Sequence, residues 1–302
     1  MPGRKSREPA ALTRALLRRR PLPRHGSNDG KDERGTIMVI GGDRSTPGAV
    51  VLAATAALRA GAAKLQIAAP TSVAPFLGVT VPEALVVSLH ETRQGAIHRR
   101  AAAALADTAQ TADAVVIGPG MVDHEAARAL LAALFDRLER GPVLVLDAGA
   151  VSTLGGSAAL LSRHEGNLIL TPHAGEMAAL LCEDKASVLR EPVEIALAAA
   201  RAYRAVALLK GSKTIIARPD GRMWRYSDGD IGLATSGSGD VLAGIIGGLA
   251  ARGADATTAA LWGVFLHGEA GNALASRQGR IGYLARELAS ELPSLMERTA
   301  TG

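Results

Sequence analysis

Thr36-Ile-Met-Val-Ile40, then Gly41-Gly42, then the Ala- and Leu-rich run from Ala49 to Ala60 closing at Gly61, then Leu65-Gln-Ile-Ala-Ala69 make one strand–helix–strand unit. A short apolar run without polar alternation predicts a strand buried on both faces. The Ala-rich run that stops at a glycine predicts a helix, and the apolar run after it a second strand. The pattern recurs downstream. Ala84 to Leu89, Ala114 to Ile117, Val143 to Leu146, Leu168 to Leu170 and Val206 to Leu209 read as strands, and Ala96 to Ala109 and Asp123 to Arg137 as helices. Thr214 to Ala217 and Arg222 to Tyr226 predict a hairpin around Asp220-Gly221, and Gly239 to Leu295 reads as mostly helical. Strands alternating with helices predict an α/β domain, its central, mostly parallel sheet covered by helices on both faces.

Composition agrees with that architecture. Apolar residues make up 48% of the 302 and aromatics only 3%, so the core has to be built from Ala, Val, Leu and Ile. No linker or fixed-period repeat divides the chain, which predicts one catalytic domain over residues 26–302 behind a basic arm at 1–25. That arm holds Arg4, Lys5, Arg7, Arg14, Arg18, Arg19, Arg20 and Arg24 against Glu8 alone, a net +7 that leaves −2 on the rest of the chain. No aromatic stacking residues accompany it, which argues against a nucleic-acid-binding domain. A solvated or capping segment is the expectation, with an acidic partner as the alternative. Cys182, the single cysteine, cannot form an intrachain disulfide, and its place after Met177 to Leu181 predicts a buried structural thiol. No apolar run is long enough to span a bilayer. Ala10 to Leu17 is broken by Arg14, so no signal peptide is expected and a cytoplasmic location is, although an Arg-rich transit peptide stays open on composition.

In parallel α/β sheets ligands bind beyond the carboxyl ends of the strands. There the sequence places Gly41-Gly42, Gly118-Pro119-Gly120, Asp147, Thr171-Pro-His-Ala-Gly-Glu176 and Lys210-Gly211. The most informative segment is Thr235-Ser-Gly-Ser-Gly-Asp-Val-Leu-Ala-Gly244, a Gly-rich turn that opens an apolar helix. Such a turn points backbone N–H groups at an anion, assisted by the helix dipole. Asp240 in the first turn has two readings: it stabilises the helix N-terminus, or it takes a proton from an attacking hydroxyl beside a bound phosphate. The chain contains neither a G-x-x-x-x-G-K-[ST] nor a complete G-x-G-x-x-G, which disfavours both common nucleotide loops.

Taken together, residues 235–244, Gly118-Pro-Gly120, Thr171 to Glu176 and Lys210-Gly211 resemble the ribokinase-like fold and, within it, the ADP/ATP-dependent NAD(P)H-hydrate dehydratases. Val39 to Asp43, Thr46 to Ala49, Ala57 to Gly61 and Val264 to Gly268 add to the resemblance, which runs from about Leu16 to about Leu292. It implies repair of hydrated NADH or NADPH: ADP or ATP phosphorylates the ring hydroxyl, and phosphate is then eliminated to restore the double bond. Asp240 is the implied base. Gly237, Ser238 and Gly239 are implied to stabilise the transferring phosphoryl group, with Mg²⁺ as the implied metal and no ligands assigned to it. Lys210, Gly211, Ser212, Lys213 and Thr214, with Gly239, match the stretch lining the nucleotide. Ala49, Gly120, His173 and Asp240 match positions that contact the hydrated nicotinamide. Glu176 reads equally as a cap of its helix, and Asp147 as a helix cap or a group that orients metal-bound water.

The chain departs from the family pattern at Asp43, where Ser is frequent, at Asp230, where Asn is frequent, and at Ser236, where Gly is frequent. The charge on Asp230 is expected to burden the phosphate site. A stand-alone dehydratase without the epimerase domain of the long family form is expected, as a homo-oligomer with tetramers among the expected states. Two alternatives remain at this point. One is a same-fold kinase acting on a hydroxymethylpyrimidine, thiazole alcohol or sugar, and the other a non-catalytic nucleotide-binding protein.

Overall fold

The structure is a computed structural model that describes residues 8–24, 26, 30–31 and 33–301. Arg4, Lys5 and Arg7 of the basic arm and the boundary residue 25 lie outside the described residues. The strands are β1 (Ala10–Ala11), β2 (Thr36–Ile40), β3 (Lys64–Pro70), β4 (Ala84–Leu89), β5 (Ala114–Ile117), β6 (Val143–Leu146), β7 (Leu168–Leu170), β8 (Val206–Leu209), β9 (Thr214–Ala217) and β10 (Met223–Tyr226). They form one sheet in the order β1-β10-β9-β8-β7-β6-β5-β2-β3-β4, in which β9 alone runs against its neighbours. The helices are α1 (Arg14–Arg18), α2 (Pro47–Arg59), α3 (Ala74–Thr80), α4 (Ala102–Ala109), α5 (His124–Phe135), α6 (Ala148–Ser152), α7 (Ala174–Leu181), α8 (Lys185–Arg190), α9 (Pro192–Tyr203), α10 (Ser238–Ala251), α11 (Ala256–Gln278) and α12 (Ala285–Thr301).

Successive side chains of a strand point to opposite faces, and the core divides accordingly. Ile37, Val39, Val116 and Val145 pack under α2, α10, α11 and α12, whereas Met38, Ile40, Val115, Ile117 and Leu146 pack under α4, α5, α7 and α9. The chain works outward from β2 through β3 and β4 on one side and from β5 through β8 on the other. The topological switch point therefore lies between β2 and β5, where ligands of such sheets bind.

Two expectations need correction and a third is narrowed. Of the solvated and capping forms expected for the basic segment, the structure has the capping one as far as it is described. Ala10 and Ala11 pair with Trp224 and Arg225, Leu12 and Leu17 are buried, and Trp262 Nε1 donates to Arg20 O at 2.7 Å. The charge count hid those apolar contacts. Cys182 is exposed, because α7 stops one residue earlier and Cys182 caps it in the left-handed region at φ 57°. Residues 96–98 precede a short 3-10 turn at Arg99–Ala101, so the helix read from Ala96 begins later. Among the described residues no helix is long and apolar enough to cross a membrane.

His164 is fully buried against Phe135, with neither ring nitrogen hydrogen-bonded. Burial, aided by Arg163, pushes its pKa down to about 4. The unfolded chain thus binds this proton more readily. Stability is whole above the ordinary value near 6.5 and falls as the pH drops toward about 4, by about 3 kcal/mol at most. Urea midpoints at pH 7.5 and pH 5 measure this, and His164→Leu is expected to flatten the difference; a variant as acid-sensitive as the parent would contradict it.

Candidate active site

Five neighbouring strands, β8-β7-β6-β5-β2, bring their carboxyl ends to one edge, and the chemistry-bearing residues follow them. Asp147 leaves β6, Thr171 leaves β7 and Lys210 leaves β8. Lys210 Nζ lies 2.6 Å from Asp147 Oδ1 and 3.8 Å from Glu176 Oε2, and the Thr171 hydroxyl lies 2.7 Å from Asp147 Oδ1. Asp147 precedes α6 but makes no side-chain cap bond to it. That excludes the cap reading, since its carboxylate is taken up by Lys210 and Thr171. Burial works against the Lys210 ammonium. Asp147, Glu176 and Asp240 outweigh it, so its pKa is raised and the charge is permanent.

His173 and Glu176 form a reciprocal cap on α7. His173 Nδ1 accepts from the backbone N–H groups of Gly175 (3.0 Å) and Glu176 (3.2 Å), and Glu176 Oε2 accepts from the His173 N–H at 2.8 Å. The N–H groups of His173, Gly175 and Glu176 at the helix start are met this way. Nδ1 is an acceptor there, so Nε2 carries the proton of the neutral ring; it lies 3.5 Å from Glu176 Oε1 on an otherwise exposed side chain.

Across from them begins α10. Gly237, at φ 86°, makes the left-handed turn that a side chain would strain, and the helix has no side-chain cap. The first-turn N–H groups of Gly239 and Asp240 are therefore open to an anion. Ser238 contributes less than the sequence suggested: its N–H lies 3.3 Å from Thr235 O, and its buried Oγ turns inward to His267 Nε2 at 2.9 Å. That nitrogen also lies 3.0 Å from Ser238 O. A carbonyl only accepts, so Nε2 carries the proton, and burial holds the ring neutral with its pKa lowered to about 4. His267 pins the turn that presents Asp240. Its segment was legible as family-like, yet among apolar neighbours nothing marked its imidazole as a site contact.

Asp240 faces the strand-end cluster. Burial raises its pKa to about 7, Asp147 and Glu176 push the same way, and Lys210 opposes them. A Cβ on Gly239 would sit 3.3 Å from Lys210 Nζ, so the lysine and the helix start are in contact range. Lys210 leads into Gly211, Ser212 and Lys213, an exposed turn, and then Thr214 at the start of β9. Ala49 and Gly120 meet on the other side, where a Cβ on Gly120 would lie 3.1 Å from that of Ala49. Their loops are tied together: Asp43 N donates to Gly120 O at 2.8 Å, and the Asp43 carboxylate accepts from Val122 N (2.7 Å) and Asp123 N (2.9 Å). The departure at Asp43 thus serves as a loop clasp. From His173 and Glu176 a groove of about 470 Å³ runs past Gly149 to Met121, Val122 and His124.

The departure at Asp230 carries less than expected. Its carboxylate accepts from Gly232 N (2.9 Å) and pairs with Arg280 Nε (2.9 Å), and those two bonds hold its pKa low, so its charge is compensated locally. Among the described residues no three His, Cys, Asp or Glu groups are placed to hold a metal ion. Glu176 and Asp240 offer hard oxygen donors at the edge of the anion site, which fits a Mg²⁺ ion brought by a nucleotide and coordinated mostly by water.

A family model described as NAD(P)H-hydrate dehydratase matches residues 37–294. An ADP-dependent (S)-NAD(P)H-hydrate dehydratase from Xanthomonas campestris is 49% identical over 96% of this chain and 97% of its own length. The fold superposes on an ADP/ATP-dependent NAD(P)H-hydrate dehydratase from Bacillus subtilis, co-crystallized with ATP/Mg²⁺, with a TM-score of 0.81 at 29% identity over 96% of this chain and 98% of that one. A ribokinase-like superfamily protein from Enterococcus faecalis, 23% identical over 97% of each chain, gives a TM-score of 0.82 and so the fold. With that coverage, and with the strand-end cluster assembled as described, the chain belongs to the NAD(P)H-hydrate dehydratase family and has the ribokinase-like fold.

Proposed function

We propose that this chain is an ADP-dependent dehydratase of hydrated NADH and NADPH, acting on the (S) form and also served by ATP. The observation that carries the proposal is Asp240: a carboxylate with a pKa near 7, in the first turn of a helix whose open N–H groups and neighbouring Lys210 make an anion site. Asp240 takes the proton of the ring hydroxyl as that oxygen bonds to the terminal phosphorus of the nucleotide, and AMP leaves ADP. The ring phosphate then departs, the adjacent ring carbon loses a proton, and the double bond and free phosphate result. Phosphate is a far better leaving group than hydroxide.

Lys210 and the N–H groups of Gly239 and Asp240 bind the phosphoryl oxygens, and donors fixed in place before reaction are worth about 3 kcal/mol each. Glu176 and Asp240 would face a Mg²⁺ ion brought with the nucleotide, which would supply neutralisation of phosphate charge. Residues 210–214 with Gly239 bind the nucleotide. Ala49, Gly120 and His173 bind the hydrated ring. Asp147 acts by holding Lys210. A cytoplasmic homo-oligomer, up to a tetramer, belongs to the proposal. Phe76 and Val79 on α3 and Leu85 on the outermost strand are exposed apolar groups that support association.

The test is absorbance at the reduced-nicotinamide band with hydrated NADH, Mg²⁺ and ADP or ATP in turn. A rise that needs a nucleotide supports the proposal; a flat trace with both nucleotides would favour a same-fold kinase that stops after phosphoryl transfer. The base must be ionised to work, so kcat/KM is expected to climb with pH through a midpoint near 7 and level off above it. A profile already flat from pH 5.5 would take the role from Asp240.

A further inference from the structure

Next to the groove that starts at His173, across the first turn of α5, lies a second and more polar concavity of about 420 Å³. One wall is the loop after β4, with Thr92, Gln94, His98 and Arg99; the other is α5, with Glu125 and Ala129. The loop is held in shape from within. Glu91 bridges Ile97, and Thr92 N donates to Ala96 O at 2.8 Å. Arg44, just past β2, ties the loop to the switch point: its side chain donates to Glu91 Oε1 at 2.8 Å and its backbone N–H to Gly95 O at 3.0 Å. His98 Nδ1 is occupied by the Arg100 N–H at 3.1 Å. Among the described residues the Arg99 guanidinium and the Glu125 carboxylate have no partner. This is a prearranged groove with an unused cation on one wall and an unused acceptor on the other.

The following step rests on the function proposed above. The substrate class is a dinucleotide, and the reacting ring lies between Asp240 and His173. The donor nucleotide occupies the β8–β9 side through residues 210–214, so the adenosine half has to leave toward β5 and β2. In that direction the first groove ends at Val122 and His124, and the second begins with Asp123 and Glu125 on the same turn of α5. We infer that this second groove holds the adenosine half of the hydrated dinucleotide, with Arg99 on the adenosine-side phosphate, Glu125 on ribose hydroxyls and Gln94 on the edge of the base. A guanidinium matches phosphate geometry, and a carboxylate and an amide accept and donate as a ribose diol and adenine require.

The experiment compares hydrated NADH, hydrated NADPH and hydrated reduced nicotinamide mononucleotide, which lacks the adenosine half. Arg99→Glu reverses the charge of one wall, and Ala129→Trp fills the groove from the exposed side of α5. Both are expected to lower kcat/KM for the two dinucleotides by about tenfold or more, the usual cost of losing a charged contact. Both should leave the mononucleotide within about twofold of the parent enzyme, because its one phosphate stays on the nicotinamide side and it lacks the adenosine-side phosphate, ribose and base that reach the groove. Equal losses on all three substrates, or no loss on any, would overturn the assignment while the dehydratase reading stands. A parent enzyme that restores none of the three hydrates removes the dehydratase reading itself, and the assignment with it.

Discussion

Asp240→Asn is expected to lower turnover of hydrated NADH by about 10²- to 10⁴-fold, the range for removal of a general base, while ADP binds at least as tightly as before. The two halves have one cause. Asp240 sits in a pocket where burial and the carboxylates of Asp147 and Glu176 already oppose its charge. Ionised, it repels a phosphate held by Lys210 and the N–H groups of α10. Asparagine keeps the shape, removes that repulsion and cannot accept the proton. Calorimetric titration with ADP and steady-state turnover measure both halves on one preparation. Activity within a few fold of the parent would end the role of Asp240 as base. Activity and ADP affinity lost together would make it a binding residue instead.

The second large effect concerns the scaffold that aims Asp240. One turn after it on α10, Gly244 rests directly on the backbone of α2, where an added Cβ would overlap the Ala53 carbonyl oxygen; Gly248 meets Ala57 in the same way. Two helices approach this closely only where one of them has no side chain. Gly244→Val forces the backbones apart instead of displacing a flexible neighbour. The expected loss is about 3 kcal/mol, at the upper end of overpacking costs. At this chain length it lowers Tm by roughly 5 °C. An unchanged melting temperature would mean that α2 and α10 do not pack as described. Asp240 is carried one turn away, so turnover in the surviving folded fraction is expected to fall as well.

The sheet was legible in the sequence because each buried strand is a short apolar run and each helix is Ala-rich: β2, β3, β5, β6 and the β9–β10 hairpin lie where the runs and the Asp220-Gly221 turn put them. What escaped depended on contacts between distant residues. Asp147 and Lys210 are 63 positions apart, and Ser238 and His267 are 29 apart. Neither pair leaves a periodic trace, so Lys210 was legible as a strand-end residue of the nucleotide-lining stretch but not as the partner of Asp147, and His267 not as a site contact. The basic segment misled through its arginines: Leu12 and Leu17 are too few to make an apolar pattern, yet both are buried under the sheet edge and α12. Cys182 fell one residue beyond α7 into a left-handed cap, a distinction finer than helical periodicity resolves. Glu176, by contrast, stood in the sequence as a cap three residues after His173, and it is one, while also facing Lys210.

In the proposed mechanism, dehydration proceeds through phosphoryl transfer from the nucleotide to the ring hydroxyl, at the anion site formed by Lys210 and the start of α10. Its most direct test is stoichiometry: NADH restored, AMP formed and orthophosphate released, counted together from hydrated NADH, Mg²⁺ and limiting ADP. One AMP and one phosphate are expected for each NADH, with restoration stopping when ADP is exhausted. NADH that continues to appear after the ADP is gone, or that appears with ADP unconsumed, would contradict the mechanism.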